Sequence, residues 1–228
     1  NATQEKVEKD PANRLLSRGP RFRMDGEMLR DYALAVSGTL SPKMGGPPAK
    51  PYQPEHVWDQ VGIGNTRDYR QDTGENLYRR TVYDFWKRMA PPPNMEIFNA
   101  PAREASCVRR ERTNTPIQAL VTLNDPQFVE AARNLAQKAI ACGCNDDAKA
   151  FAFVAERVLC RPLRDKEKPI LQASLKDLRD FYKAHAGDAK QLLAVGESSV
   201  DAKLPAAELA AWTMLCNQVM NLDEVLNK

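Results

Sequence analysis

The sequence predicts a mostly α-helical single domain of about six to eight helices, wrapped by a long irregular segment rich in proline and glycine. Three observations lead there. Apolar residues recur at helical spacing in several separate windows. Helix starts are spelled out by capping chemistry at Thr115 and Asp125. Between residues 39 and 76, prolines and glycines are too frequent for long helices or central strands.

Taken in order, residues 1 to 12 are polar and aperiodic and read as a linker or the end of a preceding domain, with the domain itself spanning 13–228. Leu15 and Leu16 open an apolar pattern that Met24, Met28, Leu29, Tyr32, Ala33 and Val36 continue, predicting a helix over 25–37 that Gly38 stops. Residues 39–76 are expected to be irregular, pinned to the body by Tyr52, Val57, Trp58 and Tyr69. The Gly62–Gly64 pair lacks the strand, third glycine and helix of a dinucleotide site and reads as a turn. Residues 77–88 fit either a strand or a helix, and the spacing of Leu77, Thr81, Phe85 and Arg88 favours a helix. Pro91, Pro92 and Pro93 end it and begin a second irregular stretch, 89–114.

The second half is more explicit. Thr115-Pro116-Ile117-Gln118 places a hydroxyl at the N-cap, proline at the first helical position and glutamine where a capping box needs it. Asp125-Pro126 restarts the chain into a helix with Phe128, Ala131, Ala132, Leu135, Ala139 and Ile140 on one face. Glu130, Arg133, Asn134 and Lys138 lie opposite, and Gly143 closes it. Further amphipathic stretches predict helices through Phe151–Leu159, from a cap at Asp165 to His185 with Ile170, Leu171, Leu175, Leu178, Phe181 and Tyr182 as its apolar stripe, over 189–195 and over 205–220.

Charge is nearly balanced, with 33 basic against 30 acidic residues, so the net +3 is no nucleic-acid signature. No apolar run is long enough to cross a bilayer. Neither an initiator Met nor a signal peptide is present, so the chain reads as a piece of a longer protein. Five irregularly spaced cysteines include no C-x-x-C, and with only two histidines no metal site or cofactor is expected within these residues. Cys142 and Cys144 could bind metal or form disulfides, whereas Cys160 and Cys216 read as buried thiols. His56 reads as a loop histidine or a ligand.

Local charge is uneven. From Arg79 to Arg112 there are seven Arg and one Lys against one Asp and three Glu, which is 8 − 4 = +4. Arg79, Arg80, Arg88, Arg103, Arg109, Arg110, Glu111 and Arg112 form the candidate binding set, because guanidinium forks take carboxylate, sulfate or phosphate bidentately. The competing reading is an internal ion network that ties the irregular segment to the helices. Asp31, Asp72, Glu75 and Asp84 are weaker candidates, as a carboxylate pair for glycoside chemistry or as salt-bridged acids.

The run YRQDTGENLYRRTVYDFWKRMAPPPNMEIFNAPAREASCVRRERTNTPIQALVTLNDPQFVEAARNLA resembles a planctomycete-type domain of unknown function. NRLL, EMLRDYALAVSGTL, MGGPPAKPYQP and AAWTMLCNQVMNLDEVLNK extend the resemblance over roughly residues 11–228. Asn99 stands where the resemblance implies aspartate, and His56 where it implies a small residue. The resemblance implies a periplasmic or cell-surface location and an upstream haem c domain in the same polypeptide, with no catalytic residues to transfer. The expectation is a non-catalytic interaction or scaffold module that contacts those upstream domains, an acidic polysaccharide or an acidic protein, and not nucleic acid. The alternative is a substrate-shaping part of an extracytoplasmic cytochrome-linked oxidoreductase.

Overall fold

The computed structural model describes residues 3–19, 21–58, 69–144 and 146–227. Ten α-helices occur among the described residues, seven of them eight residues or longer, so the chain is a mostly helical domain. The long ones are α2 (Gly26–Ser37), α4 (Pro116–Asn124), α5 (Pro126–Gly143), α6 (Asp147–Leu159), α7 (Lys168–Ala184), α8 (Ala186–Leu193) and α9 (Ala206–Met220). α1 (Gln4–Lys9), α3 (Pro93–Ile97) and α10 (Asp223–Leu226) are short.

The central element is α9. It is buried on nearly every side, with Leu209, Ala210, Ala211, Trp212, Leu215 and Cys216 at most 1% exposed, which is how a helix packed between neighbours reads. It packs against α5, α7 and α8, and α5 in turn packs on α2 and α6. Alanines at 131, 132, 136 and 139 of α5 are fully or almost fully buried, so that helix can approach its neighbours closely. Trp212 meets Phe151 at 5.1 Å between ring centres, tying α6 to the core.

The expected caps are present. Thr115 and Gln118 form a reciprocal capping box at α4, and Asp125 accepts the Gln127 amide at α5. Gly38 takes the left-handed conformation after α2, as expected.

Several elements differ from expectation. Residues 1–12 contain α1, capped by Thr3, though none of its residues is buried. Leu15 and Leu16 are 82% and 77% exposed, and Asp10, which accepts the Arg14 and Leu15 amides, organises that turn instead. Residues 77–88 are not an α-helix but two 3-10 turns, Gly74–Tyr78 and Thr81–Tyr83, followed by extended chain. The reason is visible in burial: Leu77, Arg79 and Thr81 alternate inward at period two, which an α-helix cannot do. The backbone pairs locally instead, at Ser41 with Arg79 and at Ala49 with Asp84. Pro93 does not extend a spacer but starts α3 as its first residue, inside the stretch expected to be irregular. Gly143 remains within α5, and Cys144 makes the left-handed turn; Gly143 is needed for the close approach of Ala150, 3.0 Å from where a Cβ would stand. α7 is preceded by Glu167 rather than Asp165, which pairs with Lys168 on the surface. Ile170 and Phe181 of its expected apolar stripe are exposed. Gly62–Gly64 lies outside the described residues.

Candidate functional site

Two buried arginines on the helical body hold irregular chain, Arg30 the wrap between residues 39 and 114 and Arg133 the 194–198 loop. Arg30, on α2, is 1% exposed. Its Nη2 donates to the Leu77 carbonyl at 2.7 Å, its Nη1 to the Arg79 carbonyl at 2.8 Å and the Thr81 hydroxyl at 3.1 Å, and its Nε to Gln127 of α5. One guanidinium thus satisfies the Leu77 and Arg79 carbonyls around the junction of the two 3-10 turns, while the neighbouring Tyr78 and Tyr83 carbonyls accept the Ser41 and Ala49 amides. Asp31, the next residue, accepts the Thr81 amide at 2.7 Å and hydroxyl at 2.6 Å.

Asp84 completes this hub, with Oδ1 3.4 Å from Arg30 Nη1, inside ion-pair range but outside a hydrogen bond. Burial pushes its carboxyl up to about 7, with Arg30 opposing the shift and Asp31 and Glu27 adding to it. Asp125, at the α5 cap, is also pushed up by burial.

The second hub stands on α5. Arg133 Nη1 donates to the Leu193 carbonyl at 2.6 Å and to that of Val195, while Nη2 reaches the Ser198 carbonyl at 2.8 Å and hydroxyl at 2.7 Å. Glu130, one turn earlier, accepts the Tyr52 and Tyr78 hydroxyls at 3.1 and 3.0 Å and the Ser198 amide at 2.5 Å. Burial and the Glu130 charge push Tyr52 up to about 12, and Tyr78 upward as well, which keeps both as donors. Gly196 has φ +84°, and a Cβ there would collide with the Glu130 carboxyl, so glycine is required at this crossing. Glu130 and Arg133 were expected on the solvent face of α5. Both are at most 2% exposed, because the wrap and the 194–198 loop cover that face.

The candidate arginines do not converge. Arg79 is buried, donates to the Pro47 and Gly45 carbonyls, and lies 4.0 Å over the Tyr83 ring. Arg80 is 3.7 Å from Asp31, and Arg88 is 3.6 Å from Glu104. Arg103 covers Trp86 at 4.7 Å. Only Arg109, Arg110, Glu111 and Arg112 lie together, bordering with Thr113 an open groove of about 850 Å³. Arg110 pairs with Glu27 at 2.8 Å and approaches Asp25 at 3.6 Å. Arg112 lies 3.7 Å from Asp25 and 4.9 Å over the Phe22 ring. These contacts strap residues 109–112 to the N-terminal turn of α2.

The four acids each have a separate partner. Asp31 binds Thr81, Asp84 faces Arg30, Asp72 accepts the Lys50 amide at 2.9 Å, and Glu75 accepts the Ser41 hydroxyl at 2.6 Å. All five cysteines are free thiols, and Cys160, expected to be buried, is exposed because it forms the left-handed turn that ends α6. His56 is exposed in a positive-φ turn. Among the described residues no group of three or more His, Cys, Asp or Glu side chains could hold a metal, and no helix is long and apolar enough to cross a membrane.

Sequence reasoning also missed a groove of about 480 Å³, bordered on its apolar side by Ile117, Leu120, Val121 and Pro126 and on its polar side by Gln53, Asn124 and Asp125, with Tyr52 and Pro54 beside them. Ile117 and Leu120 of α4 are 59% and 58% exposed on it. Their spacing of three residues was the available signal, since one helix face repeats at that interval.

A family model, PSD1, described as a protein of unknown function (DUF1553), matches residues 1–175. The chain belongs to this family. No curated protein and no solved structure matches it.

Proposed function

We propose that this chain is a non-catalytic interaction module of an exported planctomycete-type protein that also carries a haem c domain, and that its contact surface is the stretch 109–126. The observation that carries this reading is a contrast in how side chains are used. Buried Arg30 and Glu130 are engaged in holding the wrap and buried Arg133 in holding the 194–198 loop, whereas residues 109–126 turn Arg109, Ile117 and Leu120 outward beside two open grooves. Arg109 has no partner among the described residues. An exposed apolar patch rimmed by polar groups is a feature of protein surfaces that bind partners.

The reading is tested by pull-down of the 228-residue chain against the neighbouring domains of its polypeptide, and by binding to immobilised acidic polysaccharide. Association that weakens as salt rises is expected. Absence of both associations would sink it.

A further inference from the structure

Asp84 stands where two stretches of the wrap zip together. The Ala49 amide donates to the Tyr83 carbonyl at 2.8 Å and the Phe85 amide donates to the Ala49 carbonyl at 2.6 Å, so Ala49 brackets Asp84 on both sides. The Asp84 side chain is only 3% exposed, yet neither carboxyl oxygen accepts a hydrogen bond among the described residues. Asp31 and Asp125, in the same neighbourhood, accept two each.

The donors of Arg30 account for the difference. Its Nη1 carries two protons, and the Arg79 carbonyl and the Thr81 hydroxyl take both. That same nitrogen is the one Asp84 faces at 3.4 Å. Among the described residues no other cation fills the gap. Arg79 donates to the Pro47 and Gly45 carbonyls, Arg80 approaches Asp31, and Lys50 and Lys87 lie over the rings of Phe85 and Trp58. The Tyr69 hydroxyl, whose proton loss the Asp84 charge opposes, donates to the Pro51 carbonyl at 2.5 Å. The remaining charges around this hub are acids: Glu27 and Asp31 of α2, Asp72 of the wrap and Asp125 at the α5 cap. A carboxylate at this place is buried without a donor, whereas a carboxylic acid needs none.

We propose that Asp84 is a proton-operated latch between α2 and the wrap: with its proton on, Arg30 stays on the wrap carbonyls, and loss of the proton draws Nη1 off the Arg79 carbonyl and loosens residues 47–50 and 83–85. Burial sets the direction. The closed latch keeps its proton to a higher pH than open chain does, so opening releases a proton to water and is favoured as pH rises. Thr81 remains tethered to Asp31 in both states, which confines the movement to the zipped stretches. The latch is independent of the contact surface at 109–126, since Asp84 borders neither groove.

The test is an NMR titration of the 228-residue chain from about pH 5 to about pH 9, following the Asp84 carboxyl carbon, the Arg30 side-chain nitrogens and the backbone amides. The Asp84 carbon should titrate with a midpoint of about 7. The Arg30 side chain and the Ala49 and Phe85 amides should shift with that same midpoint, while the Leu215 and Cys216 amides of α9 stay still. Asp84→Asn keeps the shape without the ionisation and should abolish the shifts at Ala49 and Phe85. An Asp84 midpoint below about 5, amides that do not follow the Asp84 carbon, or amide shifts that persist in Asp84→Asn would each overturn the latch. Should the variant fail to fold, the wild-type titration decides by itself, through the Asp84 midpoint and whether Arg30, Ala49 and Phe85 share it.

Discussion

The bundle around α9 and the wrap from residue 39 to 114 both close their inner faces to water, but with different chemistry. Around α9 the buried side chains are Leu209, Trp212, Leu215 and their neighbours, and the backbone is satisfied within each helix. In the wrap the backbone has few regular partners, so side chains from the bundle must supply them. Arg30 does this with a fixed guanidinium fork aimed at carbonyl oxygens, and Arg133 does the same for the 194–198 loop that lies against the wrap. A buried guanidinium can thus organise irregular chain much as an apolar face organises a helix, at the cost of desolvating a charge. Burial accordingly lowers the Arg133 pKa, while Glu130 opposes the shift.

If that contrast is right, the largest effect comes from removing a hub. Arg133→Ala strips the Leu193 and Ser198 carbonyls of their donor and leaves the Glu130 carboxylate buried beside no cation. A loss of about 3–5 kcal/mol is expected in urea unfolding. An effect below about 1 kcal/mol would mean that apolar packing holds this region.

Next is pH. Asp84 has a folded pKa raised to about 7 by burial, above its ordinary 3.8. Its contribution is therefore fully present below pH ~4 and is lost as pH rises through about 7. The slope from this one group is at most about 1.4 kcal/mol per pH unit. Glu167, whose partner Arg161 holds it down to about 2, acts in a separate window: its contribution is present above its ordinary 4.5 and fades as pH falls towards 2. Stability measured by chemical denaturation should thus fall between pH 5 and 7, and Asp84→Asn should flatten that limb. An unchanged limb would place the titration elsewhere.

Gly196→Ala sharpens the comparison at one backbone position. It forces an L side chain into left-handed φ and against Glu130, and about 1–2 kcal/mol should be lost. Destabilisation well below that would show that the 194–198 loop shifts freely. Smallest is Thr115→Ala, which removes the α4 capping box for about 1 kcal/mol and serves as the helix-side control.

The helical half was legible because its signals are local. Thr115-Pro116-Ile117-Gln118 and Asp125-Pro126 state two helix starts within a few residues, and the Phe128-Ala131-Ala132-Leu135-Ala139 stripe states which face is buried. Leu77–Arg88 was misread because Thr81 and Phe85 fit a helical interval while the residues that turn inward follow a period of two set by Arg30, nearly fifty positions away. Glu130 and Arg133 looked like solvent-facing charges for the same reason: their partners, Tyr52, Tyr78 and Ser198, come from distant segments. The dense arginine run drew attention as one cluster, yet extended chain disperses it, and Arg79, Arg88 and Arg103 end on different partners. The α4 groove was missed because its far wall, Tyr52 to Pro54, is supplied by the wrap.

The claim that polar hubs rather than apolar area hold the wrap is tested most directly by native-state hydrogen exchange on Arg30→Ala beside Leu215→Ala. The account predicts that Arg30→Ala frees the amides of Ser41, Ala49, Thr81 and Phe85 while those of α5 and α9 stay protected, and that Leu215→Ala lowers protection throughout. Uniform loss of protection in Arg30→Ala, or a wrap that stays protected without that guanidinium, would contradict it.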